Sequence, residues 1–248
     1  MIYLFGISSI AFLYSIVGHA GASGYIACMV IFGTPVEIIK PTALILNVSV
    51  SSLNSIRFLR DGHLDKKTYI NFLIPILIFS IPSAMLGAYL KIPSEILKVF
   101  LSIILFLSAI RFLFGKFFQN KMKLKLPKLR HIALTGILLG FASGITGTGG
   151  GIFLTPLSIL LNWMPIKTVA AVSSIFIFFN SSGGLASWLI SNNISDLKSI
   201  NNITIQILIA LFFASIGSWL GSKKIGENEI KIILSLILFF ASYKLIIS

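Results

Sequence analysis

What this sequence lacks is an acidic side chain inside an apolar run. Its seven acids, Glu37, Asp61, Asp65, Glu95, Asp196, Glu227 and Glu229, all fall in loops or at segment ends. Cation pumps and proton relays place Asp or Glu along their path, because a charge inside a membrane is costly and kept for use. The gap therefore argues against a cation or carboxylate-proton mechanism. Cys28 is the only cysteine, so no intramolecular disulfide exists, and its apolar setting predicts inert packing. No Lys or Arg precedes the first apolar run, so Gly18-His19-Ala20 is read as retained chain rather than a secretion cleavage site. No Lys follows the glycine-rich stretch at 144–151 and no strand pattern precedes it, which excludes a soluble phosphate loop. Nothing calls for a cofactor or a metal.

Apolar residues fill the space left by charge. Of 248 residues, 56% are hydrophobic and 11% charged, with mean hydropathy +0.98, well beyond a soluble domain. The fold class is an all-α integral membrane protein. Its net charge of +13 lies in loops that face lipid headgroups, which makes membrane lipids a partner and a nucleic-acid surface unnecessary.

Apolar segments span 2–33, 41–58, 69–90, 96–114, 132–161, 168–190, 203–221 and 230–247, four and then four again. The first and fifth are too long for one crossing: about 30 residues at 1.5 Å each give roughly 45 Å against a core of ~30 Å. Each holds a glycine-bearing interruption, at Gly18 to Gly24 and at Gly144 to Gly151. A shift of 126 positions pairs Gly18 with Gly144, Gly21 with Gly147, Gly24 with Gly150, Thr42 with Thr168 and Asn54 with Asn180. Slightly larger offsets match Ala84, Gly87 and Tyr89 with Ala214, Gly217 and Trp219, Lys98 with Lys231, and Arg111 with Lys244. The ordered series predicts an internal duplication, residues 1–115 and 131–248, joined by a basic cytoplasmic linker at 116–130. The loop from Arg57 to Lys67 belongs on the same side. If each broken segment crosses the membrane the repeats are parallel. If each doubles back as a re-entrant hairpin they are inverted, and charge bias leans to the hairpin.

Consecutive glycines lose too much entropy for a helix interior and allow positive φ, so the helix breaks at Gly147, Gly149, Gly150 and Gly151. Irregular backbone at membrane depth must be buried in protein or line a polar cavity. A helix starting near Ile152 points free N–H groups into the gap, a setting for anions. Close helix approach through small residues is the alternative role for these glycines. Neutral donors supply the remaining chemistry: Gly21, Ser23, Gly24, Ser51 and Asn54 in the first half, Thr148, Ser173, Ser174 and Asn180 in the second, with Asn47, Thr155 and Ser181 nearby. Hydroxyls and amides suit a small oxyanion, although single serines also bond back to their own helix. His19 is the one group in either break that titrates near neutrality; it holds an anion, gates on pH, or donates to a carbonyl. On this reading Gly150→Leu abolishes transport without unfolding the protein.

Residues 144–182, with the glycine cluster, Pro156 and Ala170-Ala171-Val172-Ser173-Ser174, resemble the TauE/SafE-like sulfite exporter family. The basic loop carrying Arg57, Arg60, Asp61, His63 and Asp65 and the four-plus-four layout extend the resemblance over nearly the whole chain. It implies a transporter, not an enzyme, that moves small sulfur-containing or organic anions such as sulfite or sulfonates, usually outward across a bacterial inner membrane. The family's glycine motif falls on Gly147, Gly149, Gly150, Gly151 and Pro156. In the first half Ser23 and Tyr25 stand where glycines are expected, Val30 stands for the proline, and His19 is an addition. The competing class is an intramembrane serine protease of the rhomboid type, from the GxSG at Gly21 to Gly24.

Overall fold

Apolar surroundings leave backbone N–H and C=O groups no partner but each other, and the Leu-, Ile- and Phe-rich runs accordingly form helices. The computed structural model describes residues 2–90, 106, 109, 110, 124–191 and 203–247. Most of the fourth apolar segment, the basic linker up to position 123, Glu95 and Asp196 lie outside the described residues.

The first segment is split into α1 (Ile2–Ile16) and α2 (Ala22–Ile31), and α3 (Val36–Arg60) follows. The helix α4 (Lys66–Tyr89) includes a π-helical turn at Tyr69–Leu73. The fifth segment is likewise split, into α5 (Leu129–Thr146) and α6 (Gly151–Leu160). Then come α7 (Ile166–Ser191), α8 (Ile203–Lys224, ending in a π turn at Leu220–Lys224) and α9 (Glu227–Ile247). Among the described residues, α3, α4, α5, α7 and α8 are long and apolar enough to cross a membrane.

Both split segments double back. Tyr3 at the start of α1 meets Phe32 beyond the end of α2 edge-on, with ring centroids 5.7 Å apart, and Cys28 Sγ lies 3.8 Å from the Tyr3 carbonyl. In the second, the Lys125 N–H ahead of α5 donates to the Asn162 carbonyl after α6 at 3.1 Å. The two longest helices, α3 and α7, pack antiparallel: Leu44 faces Gly184, Asn47 faces Ser181, and Phe58 sits in a cluster with Ala170 and Ala171. Around this pair α8 packs on α3 and α4 on α7, while α1 packs on α8 and α5 on α4. The short helices α2 and α6 rest on α3 and α7 respectively.

Glycines set the outer contacts. In α5, Gly136, Gly140 and Gly144 recur every fourth residue and face the carbonyls of Ile76, Ser80 and Ala84 on α4. In α8, Gly217 and Gly221 face the carbonyls of Phe12 and Ile16 on α1. Both pairs run parallel, with backbones so close that any β-carbon would strike a carbonyl, the small-residue packing favoured where lipid offers no hydrophobic drive.

Charges gather at one end of the bundle. The α3–α4 loop brings Arg57, Arg60, Lys66 and Lys67 to the start of α7 and the end of α8, where Lys223 pairs with Asp61 at 3.3 Å. His63 Nε2 and Lys167 Nζ both donate to the Ser222 carbonyl, at 2.9 and 3.1 Å. Burial alone would push the Asp61 carboxyl up, but Ser222 and Lys223 beside it, with the charges of Lys223 and Arg57, hold it below the usual carboxylate value.

Two outcomes follow from these contacts. Gly140→Val should lower the melting temperature in detergent, by the equivalent of about 1–3 kcal/mol, because its methyls have only the α4 backbone to move against. Asp61→Asn should cost about 0.2–1 kcal/mol at neutral pH, since Lys223 is 51% exposed and partly screened. A carboxyl depressed in the fold stabilises it above the ordinary value and loses that contribution as pH falls through the depressed one. Melting curves of wild type and Asp61→Asn should therefore converge in acid, below about pH 4.

Candidate functional site

The two breaks are turns made of left-handed glycines. In the first, Gly18 and Gly21 have φ of 76° and 103°; in the second, Gly147, Gly149 and Gly150 have φ of 69°, 73° and 75°. Gly21 and Gly150 are the N-caps of α2 and α6, and no side chain caps either helix. Each N-terminus therefore keeps backbone N–H groups and the positive end of its helix dipole for other partners.

Each turn is embedded in the opposite part of the chain. A β-carbon on Gly18 would fall 2.6 Å from the Ala170 carbonyl, and one on Gly149 would fall 2.5 Å from Ser181 Oγ and 2.9 Å from Asn47 Nδ2. His19, 2% exposed, points from the first break into the first turns of α6, where Nε2 lies 2.6 Å from Thr155 Oγ1. Thr155 Oγ1 in turn lies 2.7 Å from Ser173 Oγ on α7. Asn54 Nδ2 holds the loop from the α3 side, donating to the His19 carbonyl at 2.9 Å and to Ser15 Oγ at 3.1 Å. Asn47 Nδ2 donates to Ser181 Oγ at 3.2 Å, and Asn180 Nδ2 donates to Ser80 Oγ at 3.0 Å.

These contacts form a polar row along α3 and α7, whose partners lie on α1, on α4 and at the two breaks. Its members are buried, yet His19 Nδ1 and the side-chain carbonyls of Asn47, Asn54 and Asn180 have no partner among the described residues, and neither do the buried Tyr25 Oη and Ser158 Oγ elsewhere. An unpaired buried polar group costs about 1–3 kcal/mol.

The expected site residues fall to several different roles. His19, Asn54 and Ser173 join one network through Thr155 and the His19 carbonyl, Gly149 sits beside Asn47 and Ser181, and Asn180 turns to Ser80 on α4 and to its own Phe176 carbonyl. Gly147 and Thr148 lie at its far end, where Thr148 Oγ1 is 2.9 Å from Thr146 Oγ1. Ser51 and Ser174 instead bond back to their own helices, at the carbonyls of Asn47 and Ala171. Packing occupies the others: Gly24 lies against Ile10, Gly150 against Phe176, Ser143 and the Leu139 carbonyl, and Gly151 against Ile177. Gly150→Leu is consequently not neutral to folding, because a side chain there meets Phe176 from a left-handed backbone. Gly21 abuts Ile10, Tyr14 and Tyr25, and Ser23 Oγ lies 2.8 Å from the Tyr14 hydroxyl. The ring of His19 is bonded to Thr155, so the GxSG serine and this histidine do not form a nucleophile and base.

Ser15 and Ser80 join the row without any sequence signal, since nothing local says that α1 and α4 present them to asparagines far along the chain. Lys40, near the start of α3, lays its stem along Gly147. No metal-holding group of His, Cys, Asp or Glu occurs among the described residues.

A family model described as sulfite exporter TauE/SafE matches residues 3–245. A probable membrane transporter protein of Sinorhizobium fredii is 34% identical over 245 residues, covering 96% of this chain and 94% of the relative. A probable membrane transporter protein of Methanocaldococcus jannaschii is 32% identical over 213 residues, covering 84% and 79%. No solved structure matches. With doubled-back helices around a buried polar row, and similarity over nearly its full length, this multi-pass chain belongs to the TauE/SafE sulfite exporter family of membrane transporters.

Proposed function

We propose that the protein is a secondary transporter that carries small sulfur-containing or organic anions, such as sulfite or sulfonates, outward across the cell inner membrane. The observation that carries this reading is the His19–Thr155–Ser173 chain, which links a residue of the first break to hydroxyls of the second hairpin and of α7. Neutral donors and uncapped helix N-termini along the row suit an oxyanion, whose oxygens accept several hydrogen bonds at once. In the structure these donors are held by hydroxyls and carbonyls, and the anion replaces those partners as it moves. Exchange of one set of hydrogen bonds for another keeps the barrier low.

The basic end of the bundle is the cytoplasmic one by the positive-inside tendency. A monovalent anion leaving a negative interior gains about 2.3 kcal/mol per 100 mV, so outward movement needs no protonatable carboxylate. Antiparallel α3 and α7, hairpins that enter from opposite ends, and the crossed pairs α1–α8 and α4–α5 support an inverted duplication of 1–115 and 131–248 about the linker 116–130. Access then alternates by rocking the helices that carry one hairpin against those that carry the other.

Purified protein in liposomes should move radiolabelled sulfite or a small sulfonate. Thr155→Val, which keeps shape and removes the hydroxyl between His19 and Ser173, should reduce the rate about tenfold, the worth of one buried hydrogen bond. Ser215→Ala, on an exposed face of α8, should leave it unchanged. Equal rates for Thr155→Val and wild type would remove the row from the path. A fluorophosphonate probe should not label Ser23; labelling there would favour the protease instead.

A further inference from the structure

Lys40 lies four residues past Val36, the first residue of α3, at the end of the bundle opposite the Asp61–Lys223 pair. Its spacing is informative. Lys40, Asn47 and Asn54 are seven residues apart, which puts them on one face of α3 at intervals of about 10.5 Å. Asn47 and Asn54 are members of the polar row, so Lys40 stands at the head of the same stripe. The Gly147 turn confirms the placement, since a β-carbon there would lie 3.1 Å from Lys40 Cγ.

The half-buried ammonium is poorly compensated. Its single hydrogen bond runs 3.5 Å to the Ile145 carbonyl, and among the described residues no carboxylate pairs with it. Glu37, one turn earlier on α3, is exposed. The Ile145 carbonyl belongs to the last turn of α5, where the negative end of the helix dipole gives a cation a resting place. One long bond leaves two of the three ammonium hydrogens without an acceptor. Just ahead of the apolar segment 41–58, and without a counter-ion among the described residues, this cation is free to pair with an anion.

We infer that Lys40 is the outer-end docking site for a small oxyanion leaving the path beside the Gly147 turn. Its ammonium exchanges the Ile145 carbonyl for the anion that Asn47, one step back along the stripe, hands on to it. This role rests on the transport reading above and names the charged residue that the neutral row lacks.

The test titrates full-length protein in detergent with sodium sulfite, sulfate and sulfoacetate at fixed ionic strength, following the melting temperature, which rises on binding to the folded state. Wild type, Lys40→Arg and Lys40→Gln are compared, and labelled sulfite uptake into liposomes is measured for the same three. Lys40→Gln should raise the half-effective anion concentration and the KM about tenfold, with maximal rate within about twofold; Lys40→Arg should stay within about threefold of wild type. Lys40→Met, which keeps the stem on Gly147, repeats the comparison if the Gln variant folds poorly. A Gln variant that titrates like wild type overturns the proposal. So does an Arg variant as defective as Gln, because the stem and not the charge would then matter. If none of the anions stabilises wild type or enters liposomes, the transport reading falls and takes Lys40 with it. If they act on wild type and Lys40→Gln alike, only Lys40 falls.

Discussion

The interior of this molecule answers to one constraint: a peptide group withdrawn from water must find a partner inside the protein. Two helices are cut in mid-course, and each cut exposes backbone that no neighbouring turn can satisfy. Part of the solution is local. The His19 N–H reaches back to the Tyr14 carbonyl at 2.9 Å, and the Gly147 N–H reaches back to Ser143 at 2.8 Å. The rest must come from other helices, and the amide of Asn54 on the His19 carbonyl is the clearest case. The polar row thus begins as a requirement of the fold.

Packing on the two flanks follows a different rule. Where α4 meets α5 and α8 meets α1, side chains have been removed until backbones touch, and the contact depends on dispersion between close surfaces. Such surfaces tolerate little sliding. The interior, between α3 and α7, has hydroxyls and amides that can trade partners over short distances. Stiff flanks thus enclose a centre held by side-chain hydrogen bonds.

The breaks could be read from the sequence because they depend on chain entropy alone: Gly147, Gly149 and Gly150 adopt the left-handed backbone that only glycine takes without strain. Gly144 looked like part of the same feature, yet it lies inside α5 and belongs to the stripe facing α4. The residue type is identical, and only the register of a helix some 60 positions away separates the two roles. Serines divide in the same manner. Ser51 and Ser174 follow the breaks as closely as Ser173 does, but rotation about the helix axis turns their hydroxyls to their own carbonyls. Thr155 became central because His19 arrives from 136 residues earlier, a meeting that no local pattern encodes.

The interlacing of the flanks has a bearing on how the chain is made. Phe12 and Ile16 present their carbonyls to Gly217 and Gly221, which leave the ribosome about two hundred residues later. Until then α1 has lipid, or the insertion machinery, where its neighbour will be. The α1 face that carries Phe12 and Ile16 stays uncovered until α8 is made, although α2 and the His19 loop already have α3 to pack on. Biogenesis of this protein is therefore a problem of late closure, in which the last third of the polypeptide seals the first.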